Sequence, residues 1–157
     1  MVIHKFGNLL EAEERVIIHG CNCYHKMGAG VAKQVKEKWP EAYDADLRTP
    51  LGPEKLGDWS EYTTPEGKTI VNFYTQDRYG KVYDKSGLIR RGLFEYDFFF
   101  EGMKSLVVWF DGVKDIAMPR IGTGLAGGNW LKIEHLLNDV NKEVSPSYKK
   151  NFIVYNL

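Results

Sequence analysis

Two glycine-rich stretches are the residues best suited to chemistry. One is Met27-Gly28-Ala29-Gly30-Val31, and the other is Ile121-Gly122-Thr123-Gly124-Leu125-Ala126-Gly127-Gly128. Small residues let backbone amides come close to an anion. A helix starting just beyond them adds unpaired N–H groups and the positive end of its dipole. Each stretch follows an apolar run and precedes a helical pattern. Taken singly, each is equally well tight helix packing or a plain surface turn. Two of them at one sheet edge suit two linked phosphates, a pyrophosphate. Neither carries the Gly-Lys-Ser/Thr of a P-loop, and both are read as distinct from the dinucleotide fingerprint.

Titratable groups cluster around the first stretch. His19 ends an apolar run and is either a proton shuttle, since imidazole titrates near neutrality, or a histidine packed in a sheet. His25 is either a cation for phosphate or a solvated side chain. Asp77 is either a carboxylate that orients water or a bland loop residue, with Gln76 beside it. His19, Cys21, Cys23 and His25 alternate, but compact metal cages prefer spacings such as C-x-x-C, so no metal is expected. The two cysteines are read as small core residues.

These groups need elements to place them. The run Val16-Ile17-Ile18 reads as a buried central strand over 15–20, followed by an irregular segment over 21–27. Strands are also expected over 1–6, 55–63, 69–75, 115–118 and 152–157, with Pro65-Glu66-Gly67 as a turn. Val31, Val35 and Trp39 recur at helical spacing from Gly28, with Lys33, Lys36 and Lys38 on a solvated face, and Pro40 precedes a short helix over 41–47. Phe100, Met103, Val107 and Phe110 fit one face of an aromatic-rich helix over 93–110, in which Phe98-Phe99-Phe100 reads as core plus one exposed ring. Leu131, Leu136, Leu137 and Val140 mark a helix over 130–140, capped by Asn129. Residues 76–91 read as a long polar connection of the kind that is often functional. The four tryptophans are read as packing residues. Alternating strands and helices predict an α/β sandwich with a mixed sheet in one domain over 1–157, both glycine stretches lying at its strand-end edge.

Composition narrows the partners. The 21 basic and 21 acidic side chains cancel, so no broad nucleic-acid footprint is expected and an anion must be held by local groups. With neither a signal-peptide pattern nor a membrane-length apolar run, a monomer in the cytoplasm is the default expectation. No cofactor is expected.

Read in order, Asn8-Leu9, His19-Gly20-Cys21-Asn22, Met27-Gly28-Ala29-Gly30-Val31-Ala32, the stretch from Pro119 through Gly122 and Gly124 to Asn129-Trp130, and Ile153-Val154-Tyr155-Asn156-Leu157 resemble a macro domain. The resemblance spans nearly the whole chain and implies a three-layer α/β/α sandwich that binds ADP-ribose. Within the family, His19 to Asn22 and the chain's ending are similar to the yeast-type ADP-ribose 1''-phosphate phosphatase. Thr75-Gln76-Asp77-Arg78-Tyr79-Gly80 is similar to a group of phage proteins. The resemblance implies adenine beside Asn8 and Leu9, with Tyr155 and Leu157 lining the adenosine end. It places Met27, Gly28, Ala29, Gly30 and Val31 on one side of the diphosphate and distal ribose. Ile121, Gly122, Thr123, Gly124, Leu125 and Ala126 lie on the other side, with Asn22 and Gln76 near the distal ribose. The implied reaction is hydrolysis of ADP-ribose 1''-phosphate, with His19, Asn22, His25 and Asp77 as catalytic candidates. The alternatives are a binder of ADP-ribose or of ADP-ribosylated macromolecules, and a hydrolase of such conjugates. Terminal ADP-ribose glycohydrolases of the family carry a lysine where this chain has Gln76 and an aspartate where it has Ala126. Without that amine nucleophile their covalent route is not expected.

Overall fold

The computed structural model describes residues 1–79, 93–124 and 126–157, together with the main chain of 82–83 and 89–91. Gly80 and Leu125 therefore lie outside the described residues. Six strands form one sheet in the order β1 (Val2–Phe6), β8 (Asn151–Asn156), β7 (Asp115–Met118), β2 (Val16–Asn22), β4 (Thr69–Gln76), β3 (Trp59–Thr63). All neighbouring pairs are parallel except β3 with β4, so the sheet is mixed as expected. The helices are α1 (Gly30–Lys38), α2 (Pro40–Leu47), α3 (Tyr96–Trp109) and α4 (Trp130–Glu143). Short strands β5 (Val82–Tyr83) and β6 (Ile89–Arg91) pair antiparallel within the expected long connection.

Period-2 alternation along the strands divides the core in two. Val16 and Ile18 of β2 and Val71 and Phe73 of β4 join α3 and α4 on one face. Ile17 and Ile70 join Val35 of α1 and Ala42 of α2 on the other. This is the three-layer sandwich. Both faces of the central strands are covered, which is why they read as continuous apolar runs. Gly102 lets α3 settle on the sheet, because a Cβ there would lie 2.3 Å from the Gly57 carbonyl oxygen and 2.6 Å from the Phe73 ring. Lys150 is almost fully buried, and its ammonium donates to the carbonyls of Phe110 (2.7 Å) and Val113 (2.6 Å). It thereby satisfies acceptors just past the negative end of α3.

Several boundaries differ from expectation for identifiable reasons. β2 continues through Cys21 to Asn22 because β4 pairs with it that far. The expected strand over 55–63 begins only at Trp59; Pro53–Lys55 is a 3-10 turn, and Gly57 takes φ +84°. α1 starts at Gly30, with Ala29 extended before it. The buried stripe of α3 runs through Phe99, Met103, Leu106 and Val107, leaving Phe100 and Phe110 half-buried and Phe98 as the exposed ring. α4 runs on to Glu143 and buries Ile133 rather than Leu131, which is 75% exposed. Trp109 is largely exposed, its indole against Trp59 and its Nε1 donating to Glu61. Among the described residues, no helix is long and apolar enough to cross a membrane.

Candidate functional site

Because β1, β8, β7, β2 and β4 are parallel, their C-terminal ends open on one edge. Residues 23–29 leave β2 there and residues 119–129 leave β7, and these two strands are direct neighbours. The two glycine stretches thus lie side by side, at the sheet edge where α/β folds bind ligands.

Asn22 shapes the first loop. Its Oδ1 accepts from the amides of Tyr24 (2.9 Å) and Lys26 (3.3 Å), and its Nδ2 donates to the Lys26 carbonyl (2.7 Å). An Asx side chain bonding its own following backbone is the usual way to fold such a turn. The Cys23 amide donates to the Asp77 carbonyl (2.9 Å), tying the loop to the exit of β4. His25 takes φ +59°, a left-handed conformation rare outside glycine. Its Nε2 meets the Thr49 carbonyl at 2.8 Å, and its own carbonyl accepts from the Tyr43 hydroxyl at 2.9 Å. Met27, expected to wall the ligand, is buried and packs with Cys21, Cys23 and Tyr74 beneath the loop. Gly28 meets open space, Gly30 begins α1 at φ +58°, and Val31 packs partly against the α1/α2 side of the core.

Beneath this loop lies a buried polar cluster. The Tyr74 hydroxyl donates to Asp46 Oδ1 (2.7 Å). Lys55 Nζ donates to Thr49 Oγ1 (2.7 Å) and sits 4.0 Å from Asp46 Oδ1. Burial pushes the Lys55 ammonium down from its ordinary range, and Asp46 holds it up in part. The same burial raises Cys23 to about 12 and Cys21 well above its usual value. Both thiols therefore stay protonated and unreactive near neutrality.

The second loop is locked from within. Gly128 N donates to the Gly122 carbonyl (2.6 Å) and Gly127 N to the Gly124 carbonyl (3.0 Å). Gly122 has φ +80°, and a Cβ there would lie 2.3 Å from the Phe94 ring. Phe94 and Leu93 donate their amides to the Ala126 carbonyl, so the segment before α3 clasps the loop. Ile121 and Ala126 are buried under it. Thr123 spends its hydroxyl on the Arg120 carbonyl (2.8 Å) rather than presenting it outward. Asn129 caps α4 as expected, accepting from Lys132 N. The spacing Gly122-x-Gly124-x-x-Gly127 does have the form of a dinucleotide fingerprint, which corrects the reading above. Its context differs from that motif, since α4 opens only at Trp130, beyond the third glycine.

At the adenosine end, Asn8 caps the turn Leu9–Glu11 by accepting from Leu10 N. Leu9 and Tyr155 turn into the core, the Tyr155 hydroxyl donating to Glu14 (2.5 Å), while Leu157 is almost fully exposed. At the exit of β4, Cys21 pairs with Tyr74 but Asn22 pairs with Gln76, so Thr75 is the extra residue of a β-bulge. Gln76 donates its side-chain amide to the Arg78 carbonyl (2.8 Å). Asp77 Oδ1 and Thr75 Oγ1 are buried without a hydrogen-bond partner among the described residues. Buried oxygens of this kind call for a ligand or water. The Arg78 guanidinium lies 5.5 Å from the Tyr24 ring centre, across the mouth beside Asp77.

The four catalytic candidates are not gathered at one point. Asn22 and Asp77 are neighbours at the edge, whereas His25 is tied to Thr49. His19 is fully buried in mid-sheet, its Nε2 bonded to Asn72 Oδ1 at 2.7 Å. Burial drives its pKa from 6.5 down to about 4, against the opposing effect of the Asn72 bond. Thr49, Tyr43 and Phe94 position the site without having been singled out in the sequence. In sequence each is an ordinary helix or loop residue.

No protein-family model matches the chain. An uncharacterized 17.5 kDa protein of the tk-vs intergenic region of phage T4 is 36% identical over 140 residues, covering 86% of this chain and 85% of that one. The DNA ADP-ribosyl glycohydrolase of Mycobacterium tuberculosis is 26% identical over 143 residues, and the chain spans 38% of its length. Among solved structures, the macrodomain of Thermus aquaticus DarG superposes with TM-score 0.74 at 24% identity, covering 100% of this chain and 99% of that one. Thermosipho africanus DarTG, solved in complex with ADP-ribose, superposes with TM-score 0.65 at 18% identity over 98% of this chain and 41% of that one. With this sheet order, these paired loops and these relatives, the chain belongs to the macro domain family.

Proposed function

We propose that the chain binds ADP-ribose along this edge and releases it by hydrolysis from ADP-ribosylated macromolecules. The observation that carries the reading is the convergence of residues 23–29 and 119–129 from the neighbouring parallel strands β2 and β7. In this reading the diphosphate lies between the two loops, facing backbone amides and the N-terminus of α1. The distal ribose lies by Asn22 and the exit of β4. Asp77, whose Oδ1 has no partner among the described residues, orients a water and takes its proton. The water oxygen bonds to the anomeric carbon, the bond from that carbon to the leaving group breaks, and the leaving group is protonated from solvent. Gln76 has no amine, so no covalent enzyme intermediate forms at its position. His19 is a structural residue. The glycohydrolases named above support the choice of substrate class.

A second reading is hydrolysis of ADP-ribose 1''-phosphate. The exposed Arg78 guanidinium beside Asp77 favours it, because it suits an anionic leaving group. Calorimetry with ADP-ribose, followed by incubation with an ADP-ribosylated oligonucleotide, an ADP-ribosylated protein and ADP-ribose 1''-phosphate, separates the readings. Release of ADP-ribose from a conjugate that is lost in Asp77→Asn supports the first. Phosphate release alone supports the second. Binding without turnover of any substrate leaves a pure binder, and no binding removes the pocket.

A further inference from the structure

We infer that His25 is a positioning residue, a clasp that fixes the first loop in its anion-receiving shape. The inference rests on the ADP-ribose reading of the edge for its ligand but not for its mechanics. The left-handed backbone of His25 is the only non-glycine positive φ among the described residues. A side chain held in that region is strained and persists only where its surroundings over-determine it. Two contacts do so here. The ring is bolted to the Thr49 carbonyl at 2.8 Å, and the His25 carbonyl is held by the Tyr43 hydroxyl at 2.9 Å.

The bolt has a firm seat. The Thr49 hydroxyl donates to the Asp46 carbonyl (2.6 Å) and accepts from the buried ammonium of Lys55 (2.7 Å). Gly52 N reaches back to the Cys23 carbonyl (3.0 Å), so the segment after α2 grips the loop on both sides of the turn. Just beyond His25 come Gly28, Ala29 and Gly30, whose amides must converge on the anion. A Cβ at Gly28 would meet nothing within 4 Å, so side-chain packing does not hold the glycines, and the clasp adds to the Asn22 bonds and the buried Met27 in ordering the loop. A loop ordered before the ligand arrives does not spend binding energy on becoming ordered.

Three measurements on the intact chain test this: amide hydrogen exchange over residues 26–31 of the free protein, thermal melting, and ADP-ribose calorimetry. His25→Gly removes the ring yet takes φ +59° without strain. It is expected to melt near the parent temperature, exchange faster over 26–31, and bind ADP-ribose at least about tenfold more weakly. His25→Ala keeps the strain without the bolt and is expected to melt lower than His25→Gly. Tyr43→Phe removes one hydroxyl and is expected to share the exchange and affinity defects in milder form. It carries the test if His25→Gly does not fold. Unchanged exchange and affinity in both His25→Gly and Tyr43→Phe overturn the clasp. If the parent chain itself fails to bind ADP-ribose, the ligand reading falls, and the exchange data still decide the clasp.

Discussion

The buried state of His19 has a measurable thermodynamic signature. In the folded chain its pKa lies at about 4, against an ordinary value of 6.5. Between these values the unfolded chain binds a proton that the folded chain refuses. Stability therefore rises with pH across this window and is lost as pH falls from about 6.5 towards 4. Lowering the pKa from 6.5 to about 4, at about 1.36 kcal/mol for each tenfold change in proton affinity, makes the loss about 3 kcal/mol. That is a large part of the stability of a domain this size. Urea unfolding at several pH values between 7 and 4, on the parent and on His19→Asn, isolates it. Carboxylates titrate alike in both proteins, so the difference in slope belongs to His19. The parent is expected to lose about 3 kcal/mol more than the variant over this range. An NMR titration of the His19 ring in the folded protein is the direct check. A midpoint near 6.5, or equal slopes for the two proteins, would refute the argument and restore His19 as a candidate proton shuttle.

Other outcomes follow from neighbouring geometry. Gly122→Ala combines a left-handed φ with a Cβ 2.3 Å from the Phe94 ring, and is expected to cost about 2–4 kcal/mol by chemical denaturation. Gly124→Glu meets open space at its Cβ and has no such backbone constraint. It is expected to fold normally yet lose measurable ADP-ribose affinity by calorimetry, and unchanged affinity would count against the second loop as a phosphate wall. Lys55→Met leaves the Asp46 carboxylate buried without its cation and is expected to cost about 3–5 kcal/mol in urea melts. Cys21 and Cys23 are expected to resist iodoacetamide at pH 8 in the folded chain and react promptly in urea, because their thiols are held protonated.

The sheet was largely legible in the sequence where burial acts on both faces. Val16-Ile17-Ile18 and Asp115 to Met118 stand out because parallel central strands need apolar residues on either side. The placement of the two loops followed from those strands. What stayed hidden was decided by tertiary contacts. No motif marks Lys55 or Asp46, which fall in an expected strand and an expected helix, and only the fold brings them together under Tyr74. Histidine is among the non-glycine residues enriched in the left-handed region, but nothing in the irregular run over 21–27 singles out His25 for it. His19 looked suited to chemistry because of its type and its place at the end of an apolar run. Its register opposite Asn72, three positions before the bulge residue Thr75, put it inside the sheet instead. The inward stripe of α3 keeps Met103 and Val107 but takes Phe99 and Leu106 in place of Phe100 and Phe110, around Gly102 where the helix meets the sheet.

The pairing of β1 with β8 has a kinetic consequence. Val2 lies opposite Phe152, and every rung of that ladder joins residues about 150 positions apart. Closing a loop of that length costs entropy that grows only slowly with its size, but no nearby contact repays it early. The sheet can therefore assemble from β7, β2, β4 and β3 while β1 waits for β8 to dock. During synthesis the segment 2–6 must remain unpaired until residues 151–156 have emerged. Lys5 on that strand, with its charge, is suited to keeping the waiting edge from joining another chain.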